Sequence, residues 1–283
     1  MTEAYLDFDR HEREMWAGRA STYERSFAPL CAGVRDQVLD LAGVSGGKRL
    51  LDVGTGRGTL AAAAAGLGAL VTAVDAEPSM VEAAGRNVPG AEVRVARLPD
   101  LPFEARSFEA VTANFVLNHV GDPAAAAREL VRVTATGGRV AASIWPFPAP
   151  PLQAFWGEVV AGSGVVPPGG SPRVEEALDF PRTAAGLTTL LHDAGLDGVR
   201  VETVTWTHHF DPEDWWSGPA GGLSTLGTLL RSLPAESVTR IRASYDRAID
   251  SRRDSNGRVG LSTTALLGSG TRLEHHTRAS QVV

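Results

Sequence analysis

Cysteine occurs once in the 283 residues, at Cys31, which excludes an intrachain disulfide and a cysteine-rich metal site. Lysine is as scarce: Lys48 is the one lysine among 27 basic residues and the rest are arginine, a bias that, with the many Ala and Gly, reads as a high-GC coding background. Positive charge is not in excess. The net charge of −6 gives no electrostatic case for a nucleic-acid partner. No apolar run approaches the roughly 20 residues that span a bilayer, so no membrane partner is expected. The first residues carry Glu3, Asp7 and Asp9 where a signal peptide would be basic, and a cytoplasmic protein is expected. What is present is 43% hydrophobic and 21% charged residues, the mix of a globular protein with a substantial core. The length suits one α/β domain with insertions or a domain plus a cap. There is no internal repeat and no low-complexity linker.

The most specific stretch is Leu50-Leu51-Asp52-Val53-Gly54-Thr55-Gly56-Arg57-Gly58, an apolar strand that ends in an acid and three alternate glycines before the helical run Leu60 to Ala65. Glycine lacks Cβ and lets backbone approach a ligand closely. At the carboxyl end of a parallel strand such a turn forms the floor of a nucleotide crevice. A dinucleotide fingerprint would need glycine at 59, where Thr59 stands, and a single lysine leaves no Tyr-x-x-x-Lys pair, so a dinucleotide oxidoreductase is disfavoured. The next apolar run, Ala69 to Val74, closes on Asp75, 21 residues after Gly54, where an acid can accept from ribose hydroxyls. The plainer alternative is that Asp75 ends a strand or caps the helix that Pro78 opens.

Residues 9–42 read as two helices, the first with Trp16, Ala20, Tyr23 and Phe27 on one face and the second starting at Pro29. Strands near 49–53, 70–75, 92–96, 108–114 and 139–145 alternate with helices, the signature of a doubly wound α/β fold with a mostly parallel, seven-stranded sheet. The proline- and glycine-dense stretch Pro146 to Pro172 is expected to be irregular and to act as a lid. A helix near 183–194, a strand near 198–206, helical sequence over 211–256 and a strand near 259–267 complete the pattern. The chain thus divides into an N-terminal helical cap (1–42), a binding core (43–145), a lid insertion (146–182), core completion (183–210), a helical lid (211–256) and a final strand and tail (257–283), with fraying expected from Thr271.

The pattern Asp52-x-Gly54-x-Gly56-x-Gly58 resembles the first motif of class I S-adenosylmethionine (SAM) methyltransferases. Leu98 to Phe103 with Ser107 to Val111, Asn114 to Val120, and Leu130 to Val133 with Gly137-Gly138-Arg139 are similar to the small-molecule, ubiquinone/menaquinone C-methyltransferase-like branch. Met15 to Ala20 and Trp215-Trp216 look like a group of actinobacterial natural-product methyltransferases. The resemblance implies a Rossmann-like methyltransferase fold and SAM as cofactor, released as S-adenosylhomocysteine (SAH). It implies cofactor contacts from Asp52, Gly54, Thr55, Gly56, Gly58, Asp75, Ala76, Met80, Leu98, Asn114 and Phe115. One position departs: Arg97 stands where the family has an acid for the adenine amino group, and arginine cannot accept a hydrogen bond. Adenine is then expected against the Leu98 backbone and Met80, with Arg97 stacking or turned outward.

Methyl transfer from a sulfonium requires alignment and exclusion of water, and a base only where the acceptor has a proton to lose. His119, beyond the fourth strand on the crevice side, is the leading candidate base; a structural histidine is the alternative. Tyr23 and Arg19 lie four residues apart on one helix, so Tyr23 is expected to bound the reactive centre or take a proton, and Arg19 to meet the methionyl carboxylate. Trp16, Asn118, Trp145, Trp215 and Trp216 are the candidate acceptor-binding residues. Aromatic walls suit a flat, indole-like acceptor and attract a sulfonium. His208 and His209 are adjacent in a strand and point to opposite faces, so no metal is expected. The expected activity is SAM-dependent methylation of a small aromatic metabolite in natural-product biosynthesis, by a monomer or homodimer. A SAM-binding cyclase or pericyclase would carry the same glycine loop and is the alternative.

Overall fold

The structure, a computed structural model, describes residues 3–169 and 172–274. Its strands are β1 (Arg49–Val53), β2 (Leu70–Asp75), β3 (Glu92–Val95), β4 (Phe108–Asn114), β5 (Thr134–Ile144), β6 (Asp197–Phe210) and β7 (Val259–Thr271). They form one seven-stranded sheet in the order β3-β2-β1-β4-β5-β7-β6. Pairing is parallel from β3 to β5, and β7 runs antiparallel to both β5 and β6. The expected doubly wound, mostly parallel sheet is therefore present. Strand order reverses direction at the β1/β4 boundary, and a crevice opens there beyond the carboxyl ends of the strands.

The helices are α1 (Glu3–Trp16), α2 (Ala20–Arg25), α3 (Ala28–Cys31), α4 (Arg35–Leu41), α5 (Thr59–Gly66), α6 (Pro78–Asn87), α7 (Pro123–Val133), α8 (Pro151–Gly162), α9 (Ala184–Asp193), α10 (Pro212–Ala220), α11 (Ser224–Ser232) and α12 (Ala235–Asp250). The central strand β1 is buried except at Arg49, as a strand covered on both faces must be. Its neighbours Leu50 and Leu51 point to opposite faces. Leu51 joins one core with Leu130, Leu187 and Leu191 of α7 and α9, and Leu50 joins the other with Val38, Leu39 and Leu60 of α4 and α5.

A third core lies beyond the sheet, where Phe155, Trp215, Ile241 and Tyr245 pack together from α8, α10 and α12. Its support is the length of β6 and β7. Only residues 266–271 of β7 pair with β5, whereas β7 pairs with β6 along its whole length. The unpaired-to-β5 part, 259–265, projects roughly 20 Å past the sheet and carries the cap helices.

Three stretches differ from the sequence reading. The amino-terminal region is four short helices and a 3₁₀ turn at Ala32–Val34 rather than two helices, and it breaks after Trp16, where Gly18 takes φ +70°. The stretch after Pro146 holds the twelve-residue helix α8. Pro150 and Pro151 occupy its N-cap and first position, where a missing N–H costs nothing, and Leu152, Phe155 and Val159 bury one face. The final strand runs to Thr271, and the Arg272 guanidinium donates to the carbonyls of Val131, Arg132 and Thr134, so the chain is tied down where fraying was expected. Residues 275–283 of the expected tail lie outside the described residues.

Candidate active site

The turn after β1 takes three left-handed residues in alternation, Gly54 (φ +66°), Gly56 (φ +56°) and Gly58 (φ +79°). This brings the Gly56 amide to donate to Asp75 Oδ2 at 2.8 Å, and the Glu77 amide donates to Asp75 Oδ1 at 3.0 Å. Burial raises the Asp75 carboxyl above its usual range, against the pull of these two amides. Asp52 lies beneath the loop. It accepts from Thr55 Oγ1 at 2.7 Å and Thr112 Oγ1 at 2.9 Å, which ties the loop to β1 and β4. Burial pushes Asp52 up to about 6, although both hydroxyls favour its charged form.

From this loop a cavity of about 930 Å³ opens toward the cap. Gly54, Gly56, Asp75, Ala76, Met80, Arg97 and Leu98 line it on the side of β1, β2 and β3. Phe115, Trp145, Gln153, Trp156 and Trp215 line it on the side of β5 and the cap. Phe115, held at φ +58°, stacks on Trp145 at 3.8 Å and 12°. Trp156 stacks on Trp215 at 5.7 Å and 7°.

His119, at the end of the 3₁₀ turn Leu117–His119, also lines the cavity. Its Nδ1 lies 2.8 Å from Glu12 Oε2 on α1, and the Trp16 indole N–H donates to the same oxygen at 3.2 Å. The Trp16 ring meets His119 edge-on at 5.5 Å and Tyr23 at 5.6 Å. Burial depresses the His119 pKa, but the charge and hydrogen bond of Glu12 outweigh it, and the net shift is upward. With Nδ1–H directed at the carboxylate, neutral His119 carries its lone pair on Nε2.

A methyltransferase-domain family model matches residues 51–142. The demethylmenaquinone methyltransferase of Beutenbergia cavernae is 32% identical over 219 residues, which cover 72% of this chain and 91% of that one. The chain belongs to the class I SAM-dependent methyltransferases. Over 107 residues it is 42% identical to the ubiquinone biosynthesis O-methyltransferase of Xanthomonas oryzae, covering 36% of this chain and 43% of that one. The YcgJ protein of Bacillus subtilis shares the fold, with a TM-score of 0.54 at 20% identity over 85% of this chain and 98% of that one.

The loop of this methyltransferase fits SAM. A Cβ on Gly56 would stand 3.3 Å from the Tyr23 ring and fill the cradle, and Asp75 offers the acid that ribose hydroxyls need. Arg97 lines the same end of the cavity, beside Leu98, and bridges through its backbone to Asp100.

Several expected residues do other work. Arg19 does not reach the cavity: its Nη1 donates to the carbonyls of Glu14, Met15 and Ala17 and its Nε to that of Gly221. The last carbonyls of α1 have no helical partner, and the nearest guanidinium satisfies them. Trp216 packs inside the cap, 5.0 Å from Tyr245 and under Arg242, because its neighbour Trp215 takes the cavity face of α10 and successive helical residues point 100° apart. Gly58 faces α6, where a Cβ would come within 2.7 Å of Val88. Thr55 spends its hydroxyl on Asp52.

Asn114 and Asn118 line the cavity with their amides already engaged. Asn114 donates to the Cys31 carbonyl and accepts from Ser143, and Asn118 accepts from the Trp145 amide at 3.1 Å. Tyr23 lines the cavity, and burial raises its pKa well above the usual value, so it stands there as a neutral phenol. Sequence reasoning missed Glu12 and Gln153. Glu12 sits four residues before Trp16, a spacing that signals a shared helix face, but nothing local points to His119, 107 residues away.

Proposed function

We propose that this methyltransferase transfers a methyl group to a small, flat aromatic or heteroaromatic acceptor, indole-like in size, in a natural-product pathway. SAM, when bound, supplies a methyl group already activated on a sulfonium. The chain's own residues hold the partners in line, exclude water and manage one proton. The glycine loop and Asp75 would hold the nucleoside, and Met80 and Leu98 would cover the adenine. Neutral His119 accepts the proton that the acceptor's O–H, N–H or ring must lose, at Nε2, while Glu12 fixes the tautomer and steadies the resulting cation.

The observation that carries this reading is the single cavity in which the glycine loop, the His119–Glu12 pair and the stacked walls Phe115/Trp145 and Trp156/Trp215 face one another. At about 930 Å³ it stands at the upper end of small-molecule pockets (about 300–1,000 Å³), room for a cofactor with a planar partner beside it. The names of the Beutenbergia and Xanthomonas relatives both concern quinones, which supports a planar ring as acceptor.

The test is incubation with SAM and a panel of phenols, indoles and hydroquinones, read by product mass. A product heavier by one methyl group is expected. No methylated product from any oxygen, nitrogen or carbon acceptor would sink the reading, and a conversion without mass change would favour the cyclase.

A further inference from the structure

A second, smaller cavity lies behind the glycine loop. Its volume is about 30 Å³, and Arg35 of the amino-terminal region and Arg57 of the loop both line it. Tyr23, Cys31, Gly54 and Asn114 line this cavity and the large one alike, so the two adjoin where β1 and β4 end. A cavity holds a water once it offers about 10–15 Å³, so this one takes two water-sized groups, as many as a carboxylate has oxygens.

Both arginine side chains are accessible, Arg35 at 36% and Arg57 at 20%. Arg57 pairs through Nη1 with Glu24 at 2.6 Å, which leaves other N–H groups of its fork to donate. Arg35, the first residue of α4, gives Nε and Nη2 to Asp36, and no described residue takes its Nη1. Asp36 is 72% exposed, and an ion pair at the surface holds its guanidinium weakly. Asp52, 1% exposed, borders the cavity too and acts there by charge alone. A bare anion would meet charge of both signs, whereas an amino-acid zwitterion is matched by it.

The cofactor carries such a group. With the nucleoside at Asp75 after β2 and Leu98 after β3, the strand order β3-β2-β1-β4 puts the opposite end of the molecule over β1 and β4, beside Gly54 and Asn114. A carboxylate taken from water needs a counter-charge. Arg19, expected from the sequence to supply it, is spent on the carbonyls of α1 and of Gly221. Resting on SAM as cofactor and on this placement of its nucleoside, we infer that Arg35 and Arg57 hold the methionyl carboxylate in the small cavity. Both are binding residues remote from the proton that His119 takes.

The experiment is calorimetric titration of the wild type, Arg35→Gln and Arg57→Gln with SAH, decarboxylated SAH and methylthioadenosine. The second ligand lacks the carboxylate alone, and the third lacks the whole amino-acid end. The wild type is expected to bind SAH about tenfold more tightly than decarboxylated SAH. In each variant SAH should weaken about tenfold while the other two bind as before, which also reports that the variant is folded. Equal affinity of the wild type for SAH and its decarboxylated form overturns the inference and leaves the nucleoside placement standing. A variant that weakens all three ligands alike, or that keeps the wild-type preference for SAH, overturns it as well. Failure of all three to bind the wild type overturns the nucleoside placement too.

Discussion

His119 holds its proton through a bond to a residue on another element, and the sign of the coupling can be worked out. On the proposed reading the neutral ring is the base, and Glu12 raises its pKa above the ordinary 6.5. Turnover should therefore rise with pH through a pKa above 6.5, and in Glu12→Gln that limb should move to lower pH, read from kcat/KM profiles of the two proteins. The same pair stabilises the fold when His119 is protonated. That contribution is fully present below the ordinary pKa and is lost as pH rises through the raised one, so Glu12→Gln should cost more stability at about pH 5.5 than at about pH 8.5 in urea titrations. His119→Ala should lower kcat by about 10²- to 10⁴-fold while SAH affinity stays within roughly threefold. Unchanged turnover would make His119 a structural residue. Two glycines separate function from packing in the same way. Gly56→Arg should abolish SAH binding by filling the cradle beside Tyr23, whereas Gly58→Ala strains a φ of +79° against Val88 and should cost about 1–3 kcal/mol of stability, with SAH binding retained. The glycine loop and Asp75 were legible because they fall within one strand–turn–helix–strand unit, where spacing alone sets geometry. Glu12 and Gln153 were not, since each acquires its meaning from a partner more than a hundred residues away.

Helix α1 forms one side of the cavity through Phe8, Glu12, Met15 and Trp16, residues at the three- and four-residue spacing of a single helix face. Four contacts pin it across the opening: Glu12 to His119, Asp9 Oδ1 accepting from the Gly121 amide at 2.8 Å, the Gly18 amide donating to Glu77 at 3.0 Å, and Arg19 capping its last turn. The cavity-lining side of α1 is thus tied to α6 and to the turn after β4. Arg19→Ala removes the cap and the link to Gly221. It should speed hydrogen exchange in α1 and weaken SAH about tenfold, with exchange in β1 and β4 unchanged. A variant with ordinary exchange in α1 would show that Arg19 is a solvated side chain with no hold on the helix. At this scale the sequence misled in one instructive place. The density of prolines around 146–172 signalled an irregular lid, yet Pro150 and Pro151 start α8, and it is the spacing of Leu152, Phe155 and Val159 within that stretch that marks a helix. Proline is a breaker in a helix interior and a starter at its first turn, and composition cannot tell the two apart.

Hydrophobic cores on the two faces of the sheet and in the cap, with a small cluster of Ala20, Met80 and Ala83 beside Trp16 and Tyr23, meet around the same cavity, so a ligand there couples parts that otherwise share little. The alternation of strands and helices made the sheet legible from sequence. The cap was only partly so, because its seat is the 259–265 extension of β7 beyond β5, a matter of relative strand length that periodicity does not encode. The two ends of the cavity are built by different elements: on the proposed reading SAH contacts β1, β2, α6 and α1, and the acceptor contacts α8, α10 and α11. SAH at 100 times its Kd should add about 2.7 kcal/mol to the stability of the folded chain. At roughly 2 °C per kcal/mol for a chain of this size, Tm should rise by about 5 °C, while NAD at the same concentration leaves it unchanged. The location of the protection carries more than its size. If the cofactor end is built on the sheet as the glycine loop and Asp75 place it, SAH alone should slow exchange in α1 and the loop after β1 and leave α8 and α11 as they were. Slowing in α8 and α11 should then require an aromatic acceptor as well. Equal protection of both ends by SAH would mean that cap and core close together on the cofactor, and the acceptor would then enter a site already shut against the sheet.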